Sequence, residues 1–249
     1  MTRRRWIAER WDEGTASLRG AQAEHLVRVL RMQVGTEVDV VAGGRVFHAV
    51  IAAVSDPVAD QSSEVRFNLV AEIESAAAMP VTLVMSIFKF DHMEWAIEKA
   101  TELGVAAIVP VIARRTDKHL AHAAMKRAER WRRIAHEASQ QSRRSDVPAI
   151  SDPIKLMERI KAESKRQRVV LAELERSTTL RAVLEEAIAN AGAEIPELEI
   201  AVGPEGGWTP EEAEFFAAHG WRGVSMGPRI LRAETAAIAA LAVIGSLTV

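Results

Sequence analysis

The segment from residue 81 to residue 112 reads VTLVMSIFKFDHMEWAIEKATELGVAAIVPVI, and it decides the fold. It begins with the near-continuous apolar run Val81–Phe88, which is typical of a strand buried on both faces. A helix is expected next, because apolar residues recur at helical spacing: Met93, Ile97, Ala100 and Leu103. A second apolar run, Val105–Ile112, completes a strand-helix-strand unit, which requires parallel strands joined by a crossover.

The C-terminal part of the chain continues this alternation. We expect Asp91 and Glu94 to cap the first helix and Gly104 to close it. Three further strands are predicted, separated by helices: Val169–Ala172, Glu199–Val202 and Gly223–Met226. A long helix is expected over roughly residues 123–142, and an apolar helix, Ala236–Ile244, follows the last strand. The fold class is therefore α/β, with helices on the faces of a parallel sheet.

The first seventy or so residues have a different pattern, which is typical of a small β-rich unit. Partial alternation predicts three strands: Val38–Val41, Val46–Ile51 and Val65–Val70. Gly43 and Gly44 predict a hairpin turn between the first two strands. Before them, a short helix is expected over Ala23–Arg31, with its apolar residues on one face: Leu26, Val29 and Leu30. Glu74–Pro80 has the composition of a linker, so we place one domain at residues 1–74 and a second at residues 80–249.

Composition narrows the class of protein. The 249 residues are 48% hydrophobic, which is enough for a sizeable core. No apolar run approaches the roughly 20 residues of a membrane span, and the N-terminal residues lack the apolar stretch of a signal peptide. The chain contains no cysteine, and its seven histidines show no tight ligand spacing. We expect a cytoplasmic protein that binds no metal and no membrane.

The formal net charge of -2 hides a separation of the two signs along the chain. Residues 114–144 contain ten Lys or Arg and three acids, a formal charge of +7, whereas residues 185–214 contain nine Glu and no Lys or Arg. A basic stretch of this kind is typical either of a solvated helix face or of a surface that binds a polyanion. The charge pattern alone leaves both interpretations open.

A glycine-rich turn follows the strand that ends at Val202: Gly203-Pro204-Glu205-Gly206-Gly207. After it, Thr209, Pro210 and Glu212 have the order of an N-cap, a first-turn proline and a capping-box glutamate. Ligands of open parallel sheets bind at the carboxyl ends of strands, where glycine allows close approach to the main chain. The turn is also compatible with a plain strand-to-helix connection. It matches neither a dinucleotide fingerprint nor a Walker loop, which argues against NAD and ATP.

The second polar cluster leads into the apolar C-terminal helix and reads Met226-Gly227-Pro228-Arg229-Ile230-Leu231-Arg232-Ala233-Glu234-Thr235-Ala236. Charges at the start of a buried helix are costly unless they are paired or engaged by a ligand. One interpretation is a structural pair between Arg232 and Glu234, with Glu234 and Thr235 capping the helix. The other interpretation is a binding site for a ligand that uses these charges.

Together, these two segments resemble the paired signature of the ribosomal small-subunit RNA (uracil-N3)-methyltransferase family, which belongs to the SPOUT superfamily. Three earlier segments agree with the family in order and spacing: His25–Met32, Met93–Val105 and Arg130–Ser142. The similarity covers nearly the whole chain. The sequence departs from the family at Gln140, where Glu is common, at Arg143, where Gly is common, and near Phe90, where a usual Gly is missing.

The resemblance implies a SPOUT-type parallel sheet with a C-terminal trefoil knot, a small N-terminal PUA-like β-barrel domain and a homodimer. The helix Ala236–Ile244 is a candidate dimer interface or an ordinary core helix. The implied cofactor is S-adenosyl-L-methionine, held by the backbone of three loops. The corresponding cofactor-binding residues here are Leu171, Ala172, Glu173, Gly203, Pro204, Glu205, Gly206, Gly207, Met226, Gly227, Ile230, Leu231, Arg232, Thr235 and Ala236.

The activity implied by the resemblance is methylation of N3 of a uridine in 16S rRNA of the small ribosomal subunit. We expect Arg232 or Arg229 to face the negative charge that develops on the base, and Glu234 to orient that arginine or to accept the N3 proton. The arginines expected to contact RNA phosphates are Arg28, Arg31, Arg130, Arg132, Arg133, Arg143 and Arg144. Two alternatives stay open: a ribose 2′-O-methyltransferase of the same superfamily, and a non-catalytic RNA-binding protein of ribosome assembly.

Overall fold

A computed structural model describes residues 4–55, 63–190 and 196–247. Within these ranges the chain forms two compact units. The first contains the described residues up to Ala77 together with Ser139–Asp146, and the second contains Ala78–Ala138 and the described residues from Val147 onward. The change of unit after Ala77 falls inside the segment Glu74–Pro80, which has the composition of a linker.

The first unit is built on a six-stranded sheet, formed by β1 (Arg5–Ile7), β2 (Arg10–Trp11), β3 (Thr15–Arg19), β4 (Glu37–Ala42), β5 (Arg45–Ser55) and β6 (Glu64–Ile73). The strand order is β1-β4-β5-β6-β3-β2, with β1 and β4 parallel and the other neighbours antiparallel. The predicted hairpin is confirmed, because β4 and β5 pair up to Ala42 and Arg45 around a turn in which Gly43 and Gly44 have positive φ. Its core contains Trp6, Leu18, Leu26, Val40, Ile51 and Phe67.

The helix predicted over Ala23–Arg31 has a different form. An α-helix, α1 (Gly20–Glu24), continues into one π-helical turn, His25–Val29, where the Leu30 N–H donates to the His25 carbonyl at 3.0 Å. The wider turn changes the angular position of the residues that follow it. Leu26 is buried, but Val29 and Leu30 are exposed, so the expected shared apolar face does not form.

The segment Ser139–Asp146 is joined to the first unit by side-chain contacts. The Gln140 amide donates to the Gln22 side chain at 2.9 Å, and Arg143 Nη2 donates to Asp39 Oδ2 at 3.1 Å. Arg143 has a φ of 63°, a conformation that glycine adopts without steric cost. The sequence pattern assigned this segment to the second domain, because contacts between distant residues leave no trace in local periodicity.

The second unit contains a seven-stranded parallel sheet, formed by β7 (Met79–Ser86), β8 (Val105–Ile112), β9 (Ala149–Ile150), β10 (Ile154–Lys155), β11 (Gln167–Leu171), β12 (Leu198–Val202) and β13 (Arg222–Val224). Its helices are α2 (Phe90–Glu102), α3 (Lys118–Gln141, whose last residues belong to the first unit), α4 (Leu156–Lys161), α5 (Leu180–Asn190), α6 (Pro210–Ala218) and α7 (Ala233–Gly245). The strand order is β10-β8-β7-β12-β11-β13, and β9 pairs with β8. The predicted parallel α/β sheet is therefore confirmed.

Both faces of this sheet are covered, which explains the near-continuous apolar strands. On β7, Leu83 belongs to the larger core cluster with α2, α3, α5 and α7, while its neighbour Val84 packs with α4 and α6 on the opposite face. Ile200 and Ala201 divide between the same two clusters on β12. Side chains that alternate along these strands therefore meet helices on both faces of the sheet.

The predicted cap of α2 is wrong. The helix begins at Phe90 with Lys89 as its N-cap, and no side chain caps it. Glu94 instead accepts hydrogen bonds from Arg130 Nε at 2.7 Å and Arg127 Nη1 at 3.3 Å, both on α3. A carboxylate engaged by arginines of a packed neighbouring helix is not free to fold back onto its own helix start.

The C-terminal helix α7 is a core helix of its own unit. Its buried side chains belong to the larger core cluster, and it packs against α2 and α5: Ala237, Ala240, Leu241 and Ile244. The homodimer and the trefoil knot implied by the resemblance remain predictions. Across the described ranges, no helix combines the length and the apolar composition needed to cross a bilayer.

Two tryptophans of the second unit test the packing of its core. Trp131 on α3 is fully buried, whereas Trp95 on α2 is 47% exposed. We expect Trp131→Ala to lower the free energy of unfolding by about 3–5 kcal/mol, because it removes a large side chain from a close-packed interior. Trp95→Ala should lower it by less than about 1 kcal/mol. Urea unfolding followed by circular dichroism measures both, and similar losses would contradict the core described here.

Candidate functional site

The carboxyl ends of β11, β12 and β13 meet at one edge of the parallel sheet. The loops that follow these strands line a cavity of about 1010 Å³, together with the first turn of α7 and residues just before α2 and α3. Open parallel sheets bind their ligands at this edge. A large concave site with apolar walls and a few polar groups is also the usual form of a small-molecule site. This cavity is therefore the candidate functional site.

The glycine turn Gly203–Gly207 forms one wall of the cavity. It closes with a hydrogen bond from the Gly207 N–H to the Pro204 carbonyl at 2.8 Å, and Gly207 has a φ of 68°. Trp208 covers its first residue: a Cβ on Gly203 would lie 3.3 Å from the indole ring. The same indole donates from Nε1 to the Leu171 carbonyl at 2.9 Å, which ties the turn to the end of β11.

Arg115 fixes the turn from outside, and Glu212 fixes the residues next to it. Arg115 donates from Nη1 to the carbonyls of Gly206 at 2.6 Å and Trp208 at 3.2 Å. Glu212, which is 1% exposed, accepts from the Arg114 N–H at 2.8 Å and from the Thr209 N–H at 2.9 Å. The predicted cap of α6 is confirmed, since Thr209 and Glu212 form a capping box with Pro210 in the first turn.

The loop after β11 is ordered by Glu175. The Ser177 hydroxyl, the Thr178 N–H and the Ser177 N–H donate to its carboxylate, and these hydrogen bonds lower the pKa of Glu175 to about 2. The loop presents Glu173 and Arg176 to the cavity. The Glu173 carboxylate lies close to the glycine turn, because a Cβ on Gly207 would be 3.7 Å from Glu173 Oε1.

The segment 226–236 forms another part of the cavity wall. Gly227 has a φ of 115°, and a Cβ there would meet no atom within 4 Å. Arg229 and Arg232 both line the cavity with exposed side chains, and within the described part of the chain neither comes within 4.0 Å of a carboxylate. The structural pair between Arg232 and Glu234 is therefore not formed. Arg232 is instead the N-cap of α7, where its carbonyl accepts from the Ala236 N–H at 2.8 Å.

Glu234 is the buried charge of this wall. It is 6% exposed, and its Oε2 atom is buried without a hydrogen-bond partner. The nearest basic group is the imidazole of His92, whose Nδ1 lies 3.4 Å from Glu234 Oε1. His92 also lines the cavity. It was not among the residues expected from the sequence, because only the packing of α2 against α7 brings it there.

The cavity gathers most of the residues that the sequence indicated. All the expected cofactor-binding residues line it except Thr235, which is exposed on the first turn of α7, and the three expected catalytic residues line it as well. The lining also includes residues that sequence reasoning missed, namely Lys89, His92, Arg115, Arg176 and Trp208. No local motif distinguishes these from ordinary surface and core positions.

The arginines expected to contact RNA fall into two groups. Four are engaged by carboxylates: Arg130 with Glu94, Arg132 with Glu129 and Asp152, Arg143 with Asp39, and Arg144 with Asp146. Arg28, Arg31 and Arg133 are exposed, and no carboxylate of the described residues lies within 4.0 Å of them. With Arg127, which pairs with Glu94, five of the ten basic residues of the stretch 114–144 are thus held by carboxylates. Across the same residues, no group of three or more His, Asp or Glu is arranged to hold a metal ion.

A parallel α/β sheet with a glycine-walled cavity at its carboxyl edge, together with a small mixed β unit, defines a two-unit ligand-binding protein of the α/β class. A family model described as an RNA methyltransferase domain matches residues 75–245, and one described as an RNA methyltransferase PUA domain matches residues 18–57. The chain therefore belongs to the RNA methyltransferase family.

Individual relatives agree with this assignment. The chain is 35% identical to the ribosomal RNA small subunit methyltransferase E of Synechocystis over 237 residues, covering 94% of this chain and 74% of that protein. It is 32% identical to the protein of the same name from Bacillus subtilis, covering 94% and 91%. Among solved structures, it is similar to a ribosomal RNA small subunit methyltransferase E from Neisseria gonorrhoeae bound to S-adenosyl methionine, with a TM-score of 0.78, 29% identity and 98% of each chain covered.

Glu212 tests how the glycine turn is held. In Glu212→Gln, an NH2 group replaces one of the two acceptor oxygens and faces a backbone N–H, so a buried donor loses its partner. We expect the free energy of unfolding to fall by about 1–3 kcal/mol. The matched control is Glu214→Gln on the same helix, whose side chain is exposed and which should change stability by less than about 0.5 kcal/mol. Equal stabilities of the two variants in urea would contradict the anchoring role of Glu212.

Proposed function

We propose that this chain methylates N3 of a uridine in 16S rRNA of the small ribosomal subunit, with S-adenosyl-L-methionine as the methyl donor. Family membership supports RNA methylation. The proposal of N3 as the target rests on one observation: the glycine turn and the 226–236 segment line the same cavity. That cavity is also lined by cations without ion pairs and by a buried carboxylate. Such a site can bind a methyl donor, take up a proton and stabilise negative charge.

The residues of the cavity fit the proposed methyl donor. The glycine turn offers bare backbone donors and acceptors, and the space beside Gly227 is open to a ligand. Apolar side chains suited to an adenine ring line the same space, including Leu171, Val202 and Leu231. The carboxylates of Glu173 and Glu205 can attract the cationic groups of the donor. When bound, S-adenosyl-L-methionine supplies a methyl group made electrophilic by the positive charge on its sulfur.

The acceptor nitrogen imposes two demands on the protein. N3 of uracil carries a proton at neutral pH, so a base must remove it, and the base-pairing edge must be free. Glu234 has a carboxylate oxygen without a hydrogen-bond partner in the wall of the cavity, and we assign the proton to it. Arg232 and Arg229 carry no ion pair within the described residues and can face the charge that develops on the O2 and O4 carbonyls.

The distribution of unpaired cations supports a proposal for the phosphate contacts of the RNA. Lys89, Arg176, Arg229 and Arg232 line the cavity, and no described carboxylate lies within 4.0 Å of them. A cation without a carboxylate partner can bind a phosphate at a lower free-energy cost, because no ion pair has to be broken first. Of the seven arginines expected from the sequence, we therefore retain Arg28, Arg31 and Arg133 as phosphate contacts in addition to the cavity cations.

The product identifies the reaction. Small subunits from a strain lacking this gene are incubated with purified protein and the methyl donor, and the rRNA nucleosides are then analysed by mass spectrometry. We expect N3-methyluridine. A ribose-methylated nucleoside would favour the 2′-O alternative, and no product despite binding of the donor would favour a non-catalytic RNA-binding protein.

In the same assay, Glu234→Gln and Arg232→Ala should each lower the single-turnover rate by about 10²-fold or more. Calorimetry should find donor affinity little changed for Glu234→Gln. Glu214→Gln, on the exposed face of α6, is the charge-matched control. Rates near that of the wild type in both cavity variants would remove these residues from the chemistry.

Salt dependence tests the assignment of the phosphate contacts. The triple variant Arg28→Ala, Arg31→Ala and Arg133→Ala should bind small-subunit RNA more weakly, and the slope of log K against log salt should fall by about 2–3. Its control is a triple alanine variant of exposed arginines that are held by carboxylates, namely Arg45, Arg181 and Arg222. Filter binding over a salt series measures both, and indistinguishable slopes would contradict the distinction between paired and unpaired arginines.

A further inference from the structure

A histidine and a glutamate that both line the cavity face each other across a short distance. Glu234 Oε1 lies 3.4 Å from His92 Nδ1, and both side chains line the cavity. His92 Nδ1 and Glu234 Oε2 are buried atoms with no hydrogen bond to the rest of the protein. Buried polar atoms are almost always satisfied, and exceptions are frequent at functional sites. The pair therefore points to a use in the reaction rather than in the fold.

The short distance between Glu234 Oε1 and His92 Nδ1 limits the protonation states that the two residues can adopt together. A carboxylate oxygen and an unprotonated imidazole nitrogen both present lone pairs, so they repel each other unless one proton lies between them. One shared proton makes the contact an attractive ion pair, which a small movement of either side chain converts into a charge-assisted hydrogen bond. The pair is thus suited to hold one proton and to pass it from one residue to the other.

The surroundings of His92 provide a route for that proton. Its Nε2 lies 3.8 Å from Asp91 Oδ2, and its side chain is 34% exposed, whereas Glu234 is 8% exposed at its side chain. Glu234 is the only titratable residue of α7. The charged groups that face His92 are therefore Glu234 from α7 and Asp91 from its own helix, with Lys89 and Arg232 in the same cavity wall.

We propose that His92 is a positioning residue that acts through Glu234: it orients the carboxylate toward the target base and relays the N3 proton to solvent. This inference rests on the proposed function. In the step, the N3–H bond breaks as its proton passes to the Glu234 carboxylate. The electron pair left on N3 forms the bond to the methyl carbon, and the pair of the methyl–sulfur bond stays on sulfur. Neutral His92, whose own proton is on Nε2 and whose Nδ1 is therefore free, then accepts the arriving proton at Nδ1 from the Glu234 carboxyl group, and the imidazolium releases its Nε2 proton to water.

The first test compares variants at position 92 by single-turnover rate as a function of pH. In the wild type, the rate should rise with pH, because the relay needs neutral His92. In His92→Gln, the rate at pH 7 should fall by at least about 10-fold, and this rise should disappear. Donor affinity by calorimetry should stay within about twofold of the wild type, which also shows that the variant is folded.

Chemical rescue separates a relay from a purely structural role. Imidazole added to His92→Ala should restore the rate in proportion to its neutral form, and should not accelerate His92→Gln, whose side chain fills the space. The control is His122→Ala, which removes an exposed histidine of α3 and should keep the wild-type rate and pH profile. A wild-type rate and pH profile in His92→Gln, or no rescue of His92→Ala, would overturn the proposal while N3-methyluridine formation by the wild type still supports the proposed function.

A second measurement does not depend on activity. In protein with ¹⁵N-labelled histidine, long-range ¹⁵N–¹H spectra report the state of each ring nitrogen. Glu234→Gln should change the Nδ1 shift of His92 and leave the signals of His122 unchanged. An unchanged His92 signal would overturn the shared proton even if the wild type forms no N3-methyluridine, so the dyad and the proposed function can fail separately.

Discussion

The site depends on one constraint: its wall is a turn with three glycines, Gly203–Gly207, whose single internal hydrogen bond is supplemented by contacts from outside the turn. Glycine lets a ligand approach the main chain, but it contributes no side chain to packing and has the greatest freedom to lose on folding. The missing contacts come from elsewhere. The Trp208 indole binds the end of β11, the Arg115 guanidinium binds the turn carbonyls, and Glu212 joins the loop before α3 to the start of α6. Three side chains from outside the turn thus preorganise a part of the cavity wall that has few side chains of its own.

Charge is used in two different ways in this protein. Along α3 and the segment after it, most arginines form ion pairs with carboxylates, including Glu94 on α2 and Asp152 after β9. These pairs are partly exposed and contribute little stability individually, but they neutralise half of the basic residues in the stretch 114–144. At the cavity the pattern reverses, because Arg229 and Arg232 have no carboxylate within 4.0 Å among the described residues. Cations without partners are the ones available to a polyanion, so local pairing decides the binding surface more than net charge does.

The elements follow from the sequence where a local rule governs them. Continuous apolar runs predicted the parallel strands, two glycines predicted the β4–β5 turn, and the order Thr-Pro-x-Glu predicted the cap of α6. The failures concern long-range contacts. The expected cap by Glu94 is absent because two arginines of α3 bind its carboxylate. His92 was not expected at the site, and it lines the cavity because α2 packs on α7. The π-helical turn His25–Val29 exposes apolar residues that helical spacing would have grouped.

The placement of Glu234 shows how packing and chemistry are reconciled in α7. This helix is buried in the core of the second unit, so most of its positions must be apolar, and its only charged residue stands in the first turn. At that end the backbone N–H groups have no helical partners, and the helix dipole favours a negative charge. One turn later, at the fully buried Ala237, a carboxylate would face the core cluster with no such compensation. A charge needed at the cavity wall therefore has one place on this helix where the fold can hold it, and Glu234 occupies that place.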